Sequence, residues 1–444
     1  MDNKQHALDT AQEKKSENTG KTDLPEDVEY ALEMLRQMEV FKKESDMEEY
    51  KNSLLSSELL SKKTFEDLNL PENVIKALRA MEFKNPSTIQ QNSIPEIASG
   101  SDVAFQSHSG SGKTIAFLSG ALSVIDKDVK SPQVIIVTPT RDLSKQIHAV
   151  LERFSTFVEF TSLLALPEVF ERHSLPNVDQ QILIGSPGTL KRLISTMGET
   201  RIKMVILDEA DALLQDDMGA QTVSVVRKIK DKQLVLFSAT FSAKMKTVIS
   251  TLSKNIKTHY LQTDNIKPDN ITQFYMDVPE NRKSEVLLKL YGLITVGQSI
   301  IFIHTREKAA RVQETLKSDG FDSELLHGQL TKEQRDSVIE QFKKGAVKVL
   351  VTTNVLSRGL DVPQLNLAVN YDIPRTQTGA VDIETYVHRI GRTGRFNRAG
   401  VSITFVGGER DRMDLHTIQR EVKSPIKYIT LEALKTAITE KLKE

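Results

Sequence analysis

The sequence predicts an α/β protein built from two tandem domains, each a parallel β-sheet flanked by helices, behind a charged N-terminal extension. Three observations predict it. Short β-rich apolar runs alternate with helical stretches, and the alternation occurs twice. A Gly/Ser loop ending in Gly112-Lys113-Thr114 opens the first alternation. The length of 444 residues exceeds one ordinary core.

Met1 to about Asp23 is polar and nearly free of apolar residues, which predicts disorder. From Pro25, the residues Val28, Ala31, Leu32, Leu35, Met38 and Phe41 recur at helical spacing, and a proline is tolerated in a first turn. This amphipathic helix either packs on a domain or wedges into a ligand cleft as an inhibitor. Residues 1–60 are therefore read as an extension with a disordered start and a regulatory helix. Residues 61–263 follow with the runs Val103–Phe105, Val134–Val137, Ile182–Ile184, Met204–Leu207 and Leu234–Phe237. Strands alternating with helices imply right-handed βαβ units whose ligands sit at the carboxyl ends of the strands. Residues 264–271 are polar, contain Pro268 and read as a linker. Residues 272–444 repeat the alternation at Ser299–Ile303, Leu325–Leu326, Val347–Val351, Leu367–Val369 and Ser402–Phe405. This half has no phosphate loop of its own, so it is placed to complete a site rather than own one.

Composition narrows the chemistry. No apolar run approaches the ~18 residues of a membrane span, and the start is polar, so neither a transmembrane helix nor a secretory signal is expected. The absence of cysteine excludes disulfides, thiolate metal sites and cysteine nucleophiles, and the nine histidines lack ligand spacing. The net charge of −1 hides an asymmetry: residues 1–60 hold fifteen acidic against eight basic residues, and the remainder 45 against 51. A mildly basic body can bind a polyanion, with the acidic extension either a competitor or a solvated tail.

Ser107 to Thr114 reads as a phosphate loop between a strand and a helix, although Ser107 stands where the general pattern wants glycine. Gly110 and Gly112 let backbone N–H groups face a polyphosphate, Lys113 reaches the β and γ phosphates, and the Thr114 hydroxyl ligates Mg²⁺. Asp208-Glu209-Ala210-Asp211 follows an apolar strand. Beside a phosphate loop, Asp208 is placed to hold Mg²⁺ directly or through water, and Glu209 to orient or deprotonate an attacking water. Ser238 and Thr240 end the neighbouring strand, either as helix caps or as hydrogen-bond partners of Asp208 and Asp211 that transmit the nucleotide state. Gln90 offers a donor and an acceptor matching adenine, and Phe65 a ring to stack on it. In the second half, Arg389, Arg392 and Arg395 stand among glycines. An arginine brought onto a γ-phosphate from another lobe accelerates hydrolysis by about 10³ to 10⁵. Thr352 to Asp361 offers hydroxyls, Gly359 for phosphates and Asp361 for a ribose hydroxyl.

Taken in order, these segments resemble the DEAD-box RNA helicases over roughly residues 62–440. The resemblance rests on Phe65 with Gln90, the phosphate loop, Pro139-Thr140-Arg141-Asp142-Leu143, Ser186-Pro187-Gly188-Thr189, Asp208 to Asp211, Ser238-Ala239-Thr240, Thr352 to Asp361 and His388 to Arg395. It implies two RecA-like lobes, with ATP and Mg²⁺ as cofactors. ATP would be held by Phe65, Gln90, Ser109, Gly110, Ser111, Gly112, Lys113, Thr114, Gly359 and Asp361, and Mg²⁺ by Thr114 and Asp208. Single-stranded or short duplex RNA would lie across Thr140, Arg141, Pro187, Gly188 and Thr189 in one lobe and Thr305, Thr352 and Gly359 in the other. Closure would bring Arg392 and Arg395 to the γ-phosphate while Glu209 orients water. Asp211, Ser238, Thr240 and His388 would couple the two events.

Ser107, Thr189, Thr352 to Leu356 and the spacer Arg375 to Thr385 are similar to the messenger-RNA-export branch. That likeness implies a cytoplasmic and nuclear monomer at the nuclear pore, partnered by a nucleoporin and an inositol-hexakisphosphate-dependent activator, with an autoinhibitory helix around Leu35. The resemblance leaves open an ATP-gated RNA clamp with little unwinding, or a helicase of another branch. Asp142, Glu82, Lys332, Phe105 and His108 depart from the family wording. So does the missing Gly-Gly segment around Leu164, which removes one expected RNA contact.

Overall fold

The computed structural model describes residues 24–43, 63–106, 111–170, 178–198, 201–259, 271–294, 297–353, 365–376, 378–393 and 400–441. Within them, the two alternations form two seven-stranded sheets. Every pairing between their strands is parallel. No described helix is long and apolar enough to cross a membrane.

In the first lobe, the strands are β1 (Val103–Gln106), β2 (Val134–Val137), β3 (Ser162–Ala165), β4 (Ile182–Gly185), β5 (Met204–Asp208), β6 (Gln233–Ser238) and β7 (Lys257–His259), in the spatial order β3-β4-β2-β5-β6-β1-β7. Side chains alternate across the sheet. Phe105, Ile136 and Ile206 face one core with Phe65, while Ala104, Ile135, Val205 and Leu207 face the other. The chain's first described helix, α1 (Glu26–Lys43), belongs to neither. The first core is covered by α2 (Glu72–Ala80), α3 (Thr88–Ala98), α4 (Lys113–Val124) and α5 (Arg141–Glu152). The second is covered by α6 (Pro187–Thr196), α7 (Ala210–Leu213), α8 (Asp216–Lys228) and α9 (Ala243–Leu252).

The second lobe has β8 (Ile271–Asp277), β9 (Gln298–Phe302), β10 (Ser323–Leu326), β11 (Val349–Thr352), β12 (Leu365–Asn370), β13 (Gly400–Val406) and β14 (Ile426–Tyr428), ordered β10-β11-β9-β12-β13-β8-β14. Its helices are α10 (Lys283–Leu293), α11 (Arg306–Ser318), α12 (Lys332–Lys343), α13 (Ile383–Ile390), α14 (Glu409–Val422) and α15 (Leu431–Lys441). The apolar-run reading missed β3, β7, β8 and β14. Three of these, β3, β7 and β14, are sheet edges, and of them β7 is a short strand with an exposed lysine, so neither run length nor alternation marks it. The expected linker lies outside the described residues except for Ile271, which begins β8.

Of the two roles open to the N-terminal helix, the structure shows packing. Val28, Ala31, Leu32, Met34 and Met38 of α1 are buried in the second lobe's core, against α15, β13 and β14. Polar groups fix its rim. Lys427 pairs with Glu33 and sits 4.8 Å from the Tyr30 ring centroid, and the Thr430 hydroxyl donates to Asp27 at 3.3 Å. The seat exists because Ala433 and Ala437 of α15 and Ala31 of α1 are small enough for close helix approach.

Candidate functional site at the carboxyl ends of the sheets

The strand order of the first lobe sorts the predicted residues. β5, β6 and β1 lie side by side, with Asp208 opposite Phe237 and Gln106 opposite Ser238. The phosphate loop, Asp208 and Ser238 therefore share one stretch of the sheet's carboxyl edge. β2 and β4 are adjacent to each other next to β5, so Thr140 and Arg141, and Pro187, Gly188 and Thr189, occupy the neighbouring stretch.

Ser109 and Gly110 lie outside the described residues, as do Ser107 and His108. The loop's described end is tightly specified. Gly112 caps α4 at φ 94°, a conformation that demands glycine, and a Cβ there would meet the Gln90 Nε2 at 2.5 Å and displace that amide. The Ser87 hydroxyl donates to the Ser111 carbonyl at 2.8 Å, bracing the loop from α3. Lys113 and Thr114 begin α4, where N–H groups lack intrahelical acceptors and attract anions. The Lys113 Nζ stands 3.8 Å from Asp208 Oδ1.

Asp208 is 1% exposed, and burial pushes its carboxyl up to about 6. The charges of Glu209 and Asp211 add to that rise, while Lys113 and the Glu209 N–H, 3.0 Å from Oδ1, oppose it. Glu209 is held in the left-handed region at φ 54°, and its Oε2 is buried without a hydrogen-bond partner. A carboxylate disfavoured by burial and an orphaned carboxylate oxygen beside a helix N-terminus form a donor set that fits a hydrated divalent cation.

Asp211 is the junction between lobes. Its Oδ2 accepts from the N–H of Ala239 and of Thr240 at 3.2 Å each and from the Thr240 hydroxyl at 3.3 Å. The Ser238 hydroxyl accepts from the Asp211 N–H at 3.1 Å and donates to the Thr240 carbonyl at 2.7 Å. Across the boundary, His388 Nε2 from α13 lies 3.1 Å from the same Asp211 oxygen, with both side chains at most 1% exposed. The expected coupling group is thus contiguous. It differs in one respect: Ser238 and Thr240 engage Asp211, not Asp208, because Asp208 is still in strand β5 while Asp211 has turned into α7.

Other predicted residues take roles that sequence did not suggest. Phe65 is 1% exposed, its ring packed into the first lobe's core, so it presents no open face to stack on a base. Gln90 receives the Ser87 N–H on Oε1 at 2.9 Å and donates from Nε2 to the Gly112 carbonyl at 3.1 Å. Its amide therefore ties the start of α3 to the phosphate loop. Thr352 is fully buried at the end of β11, and its hydroxyl is turned to the Leu326 and Thr353 carbonyls. Thr189 is also buried, its hydroxyl 3.1 Å from that of Ser186. By contrast, Thr140 and Thr305 hold equivalent places in the two lobes. Each caps the helix after an inner strand, accepting a backbone N–H at 3.2 and 3.3 Å, which leaves the hydroxyl hydrogen to donate.

Arg141 stands 3.4 Å from Glu168. Arg392 is buried on the second lobe, its Nε donating to the His388 carbonyl at 3.0 Å. Arg389 lies over the Phe302 ring and donates to the Asp372 carbonyl at 2.7 Å, which makes it a pillar of the core. Gly359, Asp361 and Arg395 lie outside the described residues.

Residues that sequence reasoning missed complete the boundary. Arg335 Nη2 is 3.2 Å from Asp142 Oδ2, and Lys145 Nζ is 3.2 Å from Asp336 Oδ2, so α5 and α12 exchange opposite charges in both directions. Gln215 donates to Glu384 at 2.5 Å. Asp142 stood out in the sequence only as a departure in wording. Nothing local signals that its partner lies almost two hundred residues away.

Comparison with known proteins bears on this geometry. A family model described as DEAD/DEAH box helicase matches residues 87–248, and one described as helicase conserved C-terminal domain matches residues 282–397. The ATP-dependent RNA helicase DBP5 of Mycosarcoma maydis is 40% identical over 399 residues, covering 88% of this chain and 87% of that one. The solved structure of Saccharomyces cerevisiae Dbp5 bound to RNA and ADP BeF3 superimposes with a TM-score of 0.79 at 39% identity, covering 85% of this chain and 99% of that one. A structure of an S. cerevisiae Dbp5 variant bound to Nup159, a Gle1 variant, IP6 and ADP gives a TM-score of 0.61 at 36% identity, covering 85% of this chain and all of that one, 100%.

Proposed function

The chain belongs to the DEAD/DEAH box helicases, and on that premise we propose how its residues divide the work of an ATP-dependent RNA helicase acting in messenger RNA export. The observation that carries the reading is the Asp211–His388 contact. It joins the strand-end segment of Ser238 and Thr240, through an aspartate three residues after Asp208, to α13, the helix that ends two residues before Arg392.

The N-terminus of α4 and Lys113 bind the β and γ phosphates of ATP. Thr114 and Asp208 would hold Mg²⁺, which would neutralise phosphate charge and relieve the buried Asp208 carboxylate. Glu209, fixed by its strained backbone, aims its unpartnered oxygen at the attacking water. RNA lies along the backbone-reading edge formed by Thr140, Arg141 and the N-terminus of α6, and continues to Thr305 on the second lobe. These contacts address sugar and phosphate, so binding is sensitive to salt and tolerant of sequence. Arg392 acts on the γ-phosphate only when the lobes are closed, and closure is where His388 meets Asp211. Hydrolysis thereby depends on RNA. The chain's partners at the nuclear pore are a nucleoporin related to Nup159 and an activator related to Gle1 that uses IP6.

The deciding experiment is ATPase measured with RNA, with DNA and without polymer, together with unwinding of a short duplex. RNA-stimulated turnover that Lys113→Ala abolishes, with Glu209→Gln still binding ATP and holding RNA, is the expected result. Turnover indifferent to RNA would overturn the reading.

A further inference from the structure

We propose that α1 is a second connection between the lobes, docked into lobe two while carried by the chain that forms lobe one. Its buried side chains share one apolar cluster with Leu434, Ile429 and Phe405 of the second lobe. Met34 and Ala31 are fully buried, as core residues are and as a loosely apposed tail is not. The Glu33–Lys427 pair, the Tyr30 ring beneath the same ammonium and the Asp27–Thr430 bond fix the helix in one register.

From Lys43 the chain runs to Lys63, the next described residue, and then builds all of lobe one up to His259 before lobe two resumes at Ile271. The second lobe is therefore assembled from two separated stretches of sequence. The lobes are joined twice: covalently through residues 260–270, and through residues 44–62 by way of the docked helix. Tethering of this kind holds partners at on the order of millimolar effective concentration. This keeps the half-sites of Lys113 and Arg392 within reach of each other each time the cleft opens.

The test uses the full chain with a protease site inserted within residues 264–270. After cleavage, without nucleotide or RNA, the two fragments co-elute as one particle of full-chain size, and RNA-stimulated ATPase at 1 µM or below (roughly the regime where tethering matters) stays within about twofold of the uncut protein. In the Met34→Glu variant the uncut protein keeps its ATPase, whereas the cut fragments separate and turnover falls at least tenfold. A second measurement covers the case in which Met34→Glu unsettles lobe two. The chain has no cysteine, so the pair Asp27→Cys and Thr430→Cys forms a unique disulfide that links the cut fragments on a non-reducing gel. Cut wild-type fragments that separate, Met34→Glu fragments that remain together, or a cysteine pair that does not cross-link each overturn the proposal.

Discussion

His388 Nε2 and Asp211 Oδ2 lie 3.1 Å apart with neither side chain more than 1% exposed, although they belong to different lobes. A hydrogen bond to a charged group in such surroundings contributes roughly 1.5–3 kcal/mol, which is about a ten- to hundredfold bias toward the closed arrangement. His388→Ala is therefore expected to lower the RNA-stimulated kcat at least tenfold. Nucleotide affinity should stay within about threefold, because Asp211 keeps its Thr240 and Ala239 donors. Steady-state ATPase with and without RNA, beside a nucleotide titration, separates the two effects. An equal loss of nucleotide binding would mean that His388 supports the first lobe's site rather than closure.

The crossed pairs Asp142–Arg335 and Lys145–Asp336 act on the same equilibrium more weakly. All four side chains are partly exposed, so each pair contributes on the order of 0.5–1 kcal/mol and is screened by salt. Arg335→Asp should raise the RNA concentration for half-maximal ATPase about two- to fivefold at low salt and less at high salt. Asp142→Arg combined with Arg335→Asp should recover most of the loss. A double variant no better than the sum of the singles would show that the pair does not form in the closed state.

The nucleotide half of the site was legible because its signals are local: glycine, lysine and threonine at fixed spacing after an apolar strand, and acidic residues after another. The strand order then brought them together as βαβ topology requires. What was not legible depends on packing. The two bonds by which Gln90 ties α3 to the phosphate loop join segments about twenty residues apart, which no local pattern marks. Thr352 looked like a free hydroxyl, yet its place at a buried strand end turns it to backbone carbonyls. The seat of α1 could not be read either, since an apolar stripe specifies a partner surface without saying which lobe supplies it. Charge pairs between surface helices leave no periodic trace at all.

Asp208 trades stability for function. Its carboxyl, raised by burial to about 6 against 3.8 when unfolded, makes the folded state bind more protons between those values. Stability of the ligand-free protein therefore falls as pH rises through that window, and the full penalty holds above it. Asp208→Asn retains the acceptor for the Glu209 N–H and removes the charge. The ligand-free variant should be more stable at pH 7.5 by on the order of 1–3 kcal/mol, a rise of several degrees in Tm, with no gain below about pH 4 and no ATP turnover. Thermal melts across pH check this. A variant less stable than the parent at pH 7.5 would show that Lys113 already compensates the buried charge.

Asp372 has the opposite sign. Burial works to raise its carboxyl, but Lys283 at 3.1 Å, Lys308 at 2.8 Å and the His304 N–H at 2.9 Å prevail and hold it below the usual carboxylate range. Lys283 is 2% exposed and Arg389 bonds the Asp372 carbonyl, so this carboxylate anchors a buried cationic cluster beneath α13. Among the described residues, Asp372→Asn leaves the half-exposed Glu280 as the carboxylate opposite Lys283. The variant should lose on the order of 3 kcal/mol at pH 7. A group whose folded pKa is depressed contributes its full stability above the unfolded value and loses it as pH falls through the folded one. The difference between parent and variant should thus be constant from neutral pH down to about 4 and shrink below that. Urea unfolding at pH 7, 5 and 3 measures it. A difference that persists undiminished at pH 3 would assign the loss to packing of the asparagine rather than to the carboxylate's charge.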